Sequence, residues 1–252
     1  MPDPFDSSRR KIARAKEHFA NLHREIEEFT RVNPYARVTE PHPERADRIV
    51  HKVKMTKEIP AVIADTTADF VQNLRNALDN AAYAVAVAAG KVDPKYTAFP
   101  FARSAAEMAN SLGRSKDLPK EMQSLFCGFQ PYLGGDDLLW AFNEICNGDK
   151  HKYIIPIGTG MVRRAAGVEG TGFFEMPTTH VWDRTKNEME LLTLGVESTY
   201  KYNFQFSFFV AFNDIQVVDG QPVLGVLDEL GSKIESIFLG IEAECRRLKI
   251  FP

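Results

Sequence analysis

Ile12, Ala15, Phe19, Leu22, Ile26 and Phe29 recur at alternating spacings of three and four, with mostly polar residues between them. That spacing draws one narrow apolar stripe along an α-helix and predicts a helix from about Ser8 to Arg31. Asn33-Pro34 ends it, because proline disfavours helical backbone at the residue before it. The period then shortens to two. Tyr35 to Glu40 and Arg48 to Met55 predict the arms of a hairpin around Pro41-His42-Pro43, with Ile49, His51, Val53 and Met55 on one face. On that face His51 is expected as a half-buried packing residue and not as a ligand.

A second long helix is predicted from Pro60 to about Ala89, stopped by Gly90. Shorter helices are expected over Ser104 to Leu112, over Lys120 to Cys127, and from Asp136 or Asp137 to Cys146, the last closed by Asn147-Gly148. Beyond this point the texture changes. Tyr153 to Ile157 and Glu188 to Leu194 read as strands, and the alternation from Tyr200 through Phe212 is the strongest strand signal in the chain. Asp219-Gly220 marks a turn before a closing helix from about Val223 to Leu248, whose apolar residues form a continuous face. The expectation is an α+β protein: a helical N-terminal half with a β-hairpin, an antiparallel strand-rich C-terminal part and a long closing helix. No internal repeat or long linker divides the chain, so a single domain over residues 1–252 is expected.

Composition narrows the classes of function. A content of 31 basic and 34 acidic residues, net −3, provides no global basic field for nucleic acid, although a local basic groove is still allowed. Neither a signal-peptide core nor a run long and apolar enough to span a membrane is visible, so no membrane partner is expected. Cys127, Cys146 and Cys245 are odd in number and lack Cys-x-x-Cys spacing, which points to a reducing, cytoplasmic setting. Gly134-Gly135-Asp136-Asp137 precedes an apolar helical run and reads as a helix N-cap. The glycines from Gly158 to Gly172 lack the Gly-Lys-Ser/Thr ending of a phosphate loop, and no metal-ligand spacing or nucleophile elbow occurs. No cofactor or metal is therefore expected.

Two segments could carry chemistry. At 100° per residue, Phe70, Leu74, Ala77, Leu78, Ala81 and Val85 share a buried face of the second helix, and Asp69, Asn73, Asn76 and Asn80 form a stripe elsewhere. Asparagine is a poor interior helix former, because its amide competes with the backbone. Three in one row fit either a solvated face with side-chain pairing or an amide-lined groove for a ligand. Arg75 and Asp79 lie four apart at the border of the apolar face, where Arg75 is placed to reach another element. The second segment is Asn143, then Asn147-Gly148-Asp149-Lys150-His151-Lys152, at the exit of a helix. Negative charge at a helix C-terminus raises a histidine pKa, so His151 beside Asp149 and Lys150 fits either an acid/base group or a local capping turn.

The string Asn73-Leu74-Arg75-Asn76-Ala77-Leu78-Asp79, followed by Asn147-Gly148-Asp149-Lys150-His151, resembles an uncharacterised bacterial family with similar long helices around both motifs. The resemblance covers about the first 155 residues by pattern. In that family the position of Asn80 is often histidine, giving Arg-x-x-x-x-His. This spacing is similar to the signature of HEPN domains, whose active members are metal-independent, usually dimeric ribonucleases. The resemblance implies that Arg75 would hold a phosphate. Asn80 replaces the motif histidine and cannot shuttle a proton, so either the activity is absent or another group, with His151 the candidate, supplies the acid/base function.

Two functions follow. The first is a non-catalytic protein that binds a small ligand or a protein partner through Asn73, Asn76, Asp79, Asn80, Asp149 and Lys150. It requires Arg75, Asp79, Asp149 and His151 to form a satisfied buried polar network that holds helices together. The second is a diverged HEPN-like ribonuclease or RNA-binding protein of defence or stress response, with Arg75 and His151 in one cleft and a homodimer as its assembly.

Overall fold

The two periodicities become helices and strands along most of the chain in the computed structural model, which describes residues 3–148, 154–157, 169–202 and 209–251. Helix α1 (Asp6–Arg31) is followed by the hairpin strands β1 (Tyr35–Pro41) and β2 (Arg48–Met55), then by α2 (Ala61–Ala88). A run of 3-10 turns around the single-turn α3 (Met108–Ser111) leads to α4 (Lys120–Gly128) and α5 (Asp137–Asn147). The strands β3 (Ile154–Ile157), β4 (Glu169–Thr171), β5 (Phe174–Glu175), β6 (Trp182–Asp183), β7 (Glu188–Gly195), β8 (Thr199–Lys201) and β9 (Phe209–Phe212) precede the closing helix α6 (Val223–Arg247). The protein is α+β, helical first and strand-rich before its last helix. No helix among the described residues is long and apolar enough to cross a membrane.

The chain forms two compact units, one of Met1–Arg24, Ala61–Tyr153 and Phe212–Pro252, the other of Glu25–Pro60 and Ile154–Ala211. In the first, α2 meets both α5 and α6. Leu74, Ala77, Leu78, Ala81 and Val85 are fully buried along its inner face. Helix α1 is fastened to α6 by the nearly buried Glu242, whose Oε1 accepts from Arg9 Nη2 at 2.6 Å and Arg246 Nη2 at 3.0 Å. Helix α5 begins as expected: Asp136 is its N-cap, and its Oδ1 accepts from the Leu139 amide at 3.0 Å.

Two helix ends close in the same way. At the end of α2, Gly90 takes φ of +87°, and the amides of Gly90 and Lys91 donate to the carbonyls of Val87 and Ala86. At the end of α6, Lys249 takes φ of +54°, and the amides of Lys249 and Ile250 donate to Arg246 and Cys245. A lysine accepts the left-handed conformation less readily than glycine does. The reversal brings Phe251 edge-on to Phe5, with ring centroids 5.0 Å apart.

The second unit is built on an antiparallel sheet of order β1-β2-β7-β5, with β6 also paired to β7. The hairpin forms where expected, and the pairing of β2 with β7 carries one irregularity. Between the pairs His51↔Leu192 and Lys52↔Glu190 the register shifts, leaving Leu191 of β7 as the extra residue, and Val50 and Val53, three apart and so on opposite faces of β2, are both buried. On the face expected for Ile49, His51, Val53 and Met55, Met55 packs beside Val53 against the sheet core. Val53 enters a core with Tyr35, Trp182, Met189 and Leu192. His51 is half-buried, its Nδ1 lies 2.6 Å from the Tyr202 hydroxyl, and burial holds its pKa below the usual histidine value. Of the strand expected from Tyr200 to Phe212, the described ends are extended, in β8 and β9, and residues 203–208 lie outside the described residues.

Candidate functional site

Arg75 and Asp79 anchor a polar cluster in the helical unit. They lie one turn apart on α2, beside the row of alanine and leucine that faces α5 and α6, so their side chains start at the edge of the core. The Arg75 side chain is 13% exposed. Its Nη1 donates to Asn143 Oδ1 on α5 at 2.9 Å, and its Nε lies 3.5 Å from Asp79 Oδ2. The guanidinium carbon stands 4.2 Å from the centroid of the Phe101 ring, a cation–π geometry. Amide, carboxylate and aromatic ring thus engage Nη1, Nε and one face of the guanidinium.

Asp79 ties down the extended segment that follows α2. Its Oδ1 accepts from the Phe99 backbone amide at 2.7 Å. The same segment is held by the Ala98 carbonyl, which accepts from Ser115 Oγ at 2.6 Å, and by the Ala102 amide, which donates to the Pro131 carbonyl. Phe99 and Phe101 are thereby turned into the core, where Phe99 meets Phe126 at 4.9 Å and Phe101 meets Phe142 at 5.8 Å. Burial pushes the Asp79 carboxyl above the usual aspartate range, opposed by the Arg75 charge and the Phe99 amide.

The direction of that shift has a consequence for stability. Because the folded-state pKa lies above the unfolded value, the protonated form is the one favoured by folding. Asp79→Asn keeps an acceptor for the Phe99 amide and removes the titration. As pH rises past the ordinary aspartate value, the wild type is expected to lose stability relative to Asp79→Asn. Paired denaturant melts across that range measure the difference. A gap that stays constant or moves the opposite way would refute the assignment.

Cys146, next to the cluster on α5, lies 3.8 Å from the Val71 carbonyl, and burial pushes its thiol up to about 12. It is neutral at physiological pH and no nucleophile. Among the described residues, no group of three histidines, cysteines or carboxylates is placed to hold a metal.

The asparagine row divides. Asn73 Nδ2 donates to the Asp69 carbonyl one turn back at 2.8 Å, and Lys11 Nζ approaches its Oδ1 at 3.4 Å. Asn76 Oδ1 accepts from Gln72 Nε2 at 3.2 Å, a pairing on the helix surface. Asn80 alone reaches a recess: its Nδ2 donates to Ser7 Oγ on α1 at 3.0 Å, at the rim of a groove of about 510 Å³. Pro4, Tyr83, Val87 and Phe251 form much of the rest of its lining. Arg75 and Asp79 are thus brought together with Asn143, whereas Asn73, Asn76 and Asn80 serve three separate contacts. Asp149, Lys150 and His151 lie outside the described residues.

Phe99, Phe101, Ser7 and Phe251 escaped the sequence reading. Phe99, Phe101 and Phe251 lie in irregular segments, which carry no period to assign a face, and Ser7 lies in the first turn of α1, ahead of its apolar stripe. Comparison with protein-family models, curated proteins and solved structures returns no match.

Proposed function

We infer that the protein is a non-catalytic ligand-binding or protein-interaction protein, in which the Arg75 cluster fastens helices and does no chemistry. One observation carries this reading. The guanidinium that a ribonuclease would turn toward a phosphate is already engaged by Asn143, Asp79 and the Phe101 ring. A buried polar network whose members satisfy one another specifies the packing of its helices. Binding would then fall to the surface of the same unit, where Asn80 meets the recess.

The test is cleavage of a panel of labelled RNAs by the purified protein in EDTA, beside Arg75→Ala and His151→Ala variants checked for folding. The expected result is no cleavage by the wild type and a clearly lower melting temperature for Arg75→Ala. Metal-independent cleavage by the wild type, lost in both folded variants, would overturn the reading in favour of a ribonuclease.

A further inference from the structure

The groove at Asn80 has a chemistry of its own. It lies between the start of α1, the last two turns of α2 and the residue that follows the reversal at Lys249. Its volume of about 510 Å³ falls within the range of sites that enclose small ligands. Tyr83 and Val87, one turn apart, are 48% and 46% exposed along it, and Ala84 and Ala88 provide a shallow floor between them. At the far wall Phe251 packs edge-on against Phe5, which is itself edge-on to Phe238 at 5.6 Å.

Polar groups line one end of the groove. Asn80 spends one amide hydrogen on Ser7 Oγ, and its Oδ1 together with the Ser7 hydroxyl hydrogen face no acceptor or donor among the described residues. No charged residue lines the recess among the described residues. An ionised head group would find no side-chain counter-charge in that lining, whereas a hydroxyl or primary amide could both donate to Asn80 Oδ1 and accept from Ser7.

The geometry points to a binding site for an uncharged amphiphile: an aliphatic body along Tyr83, Val87 and Phe251, and a neutral hydroxyl or amide head on the Asn80–Ser7 pair. This assignment rests on the non-catalytic reading and names its ligand class. The lining gives the body dispersion contacts on two sides and an apolar floor, and the polar pair orients the ligand within the groove.

Ligand-observed NMR titration of the full chain with n-decanol, decanamide and decanoate at pH 8 tests it. The two neutral compounds are expected to bind saturably, and decanoate at least about tenfold more weakly because its carboxylate meets no cation. Ala84→Trp, which fills the groove from a half-exposed position, is expected to abolish binding while leaving the melting temperature near that of the wild type. Asn80→Ala is expected to weaken the neutral compounds and to narrow their advantage over decanoate. Absence of saturable binding, binding indifferent to Ala84→Trp, or tighter binding of decanoate would each overturn the assignment. So would a dimer in light scattering that Val87→Arg dissociates, since the groove would then belong to a second copy. RNA cleavage in EDTA, run on the same preparations, separates the two failures: cleavage sinks the non-catalytic reading, whereas lost binding without cleavage sinks only the ligand class.

Discussion

Replacing Arg75 with alanine is expected to lower the unfolding free energy by about 2–4 kcal/mol at neutral pH. Three interactions disappear together. The charge-assisted hydrogen bond to Asn143 is of the kind that contributes about 1.5–3 kcal/mol, and the stack on Phe101 adds on the order of 1 kcal/mol. The third loss is the counter-charge of Asp79, a carboxyl that burial already disfavours in its ionised form. Removing one member of a fully buried ion pair costs about 3–5 kcal/mol. Asp79 is 34% exposed, so water recovers part of that, and the range is lowered accordingly. Chemical denaturation read by circular dichroism measures the change. Arg75→Met, which keeps an apolar stem over Phe101, should lose less than Arg75→Ala. Equal stability of wild type and Arg75→Ala, within about 0.5 kcal/mol, would mean that the cluster fastens nothing.

Phe99→Ala is expected to have the larger effect, about 3–5 kcal/mol, the ordinary range for deleting a buried aromatic ring. Phe99 is fully buried, with its ring 5.0 Å from Phe101, 4.9 Å from Phe126 and 6.2 Å from Phe129. The surrounding rings are fixed on the segment of Phe99 itself and on α4 with its C-cap, so collapse into the vacated space is hindered and a cavity should persist. Phe99→Leu refills most of the volume and should lose less than half as much. The two sites should not be independent. Phe99 holds Asp79 through its amide and touches Phe101, and Arg75 contacts both of those residues. A double-mutant cycle between Arg75→Ala and Phe99→Ala is therefore expected to show a coupling of about 0.5–3 kcal/mol. Strict additivity would indicate that the cluster and the aromatic core stabilise the unit separately.

Local pattern carried much of this architecture. The spacing of apolar residues placed α1, α2 and α6, and Gly90 and Asp136 marked a helix end and a helix start by the chemistry of their own positions. Those signals act over one or two turns of chain and survive without tertiary context. Pattern was less informative on the pairing of β2 with β7, where the extra residue, Leu191 on β7, leaves no mark in the alternation of β2. Its reading of Gly148 as a helix end was right, although that glycine closes α5 in an extended conformation and not a left-handed one.

The candidate site divides along the same line. That Arg75 and Asp79 stand at the edge of an apolar face, and that three asparagines form a row beside it, is determined by the sequence, since helical geometry places residues three and four apart together. Which partners they meet is decided by tertiary structure alone. Asn143 is 68 positions from Arg75, and Ser7 is 73 from Asn80. Phe99 reaches Asp79 only because the irregular segment after α2 folds back along that helix. Such contacts depend on how helices approach and where connecting segments run, quantities set by the summed packing of the core and by no short stretch of residues. The asparagine row shows the difference most plainly: one helical spacing, and three different fates imposed by what lies opposite each amide.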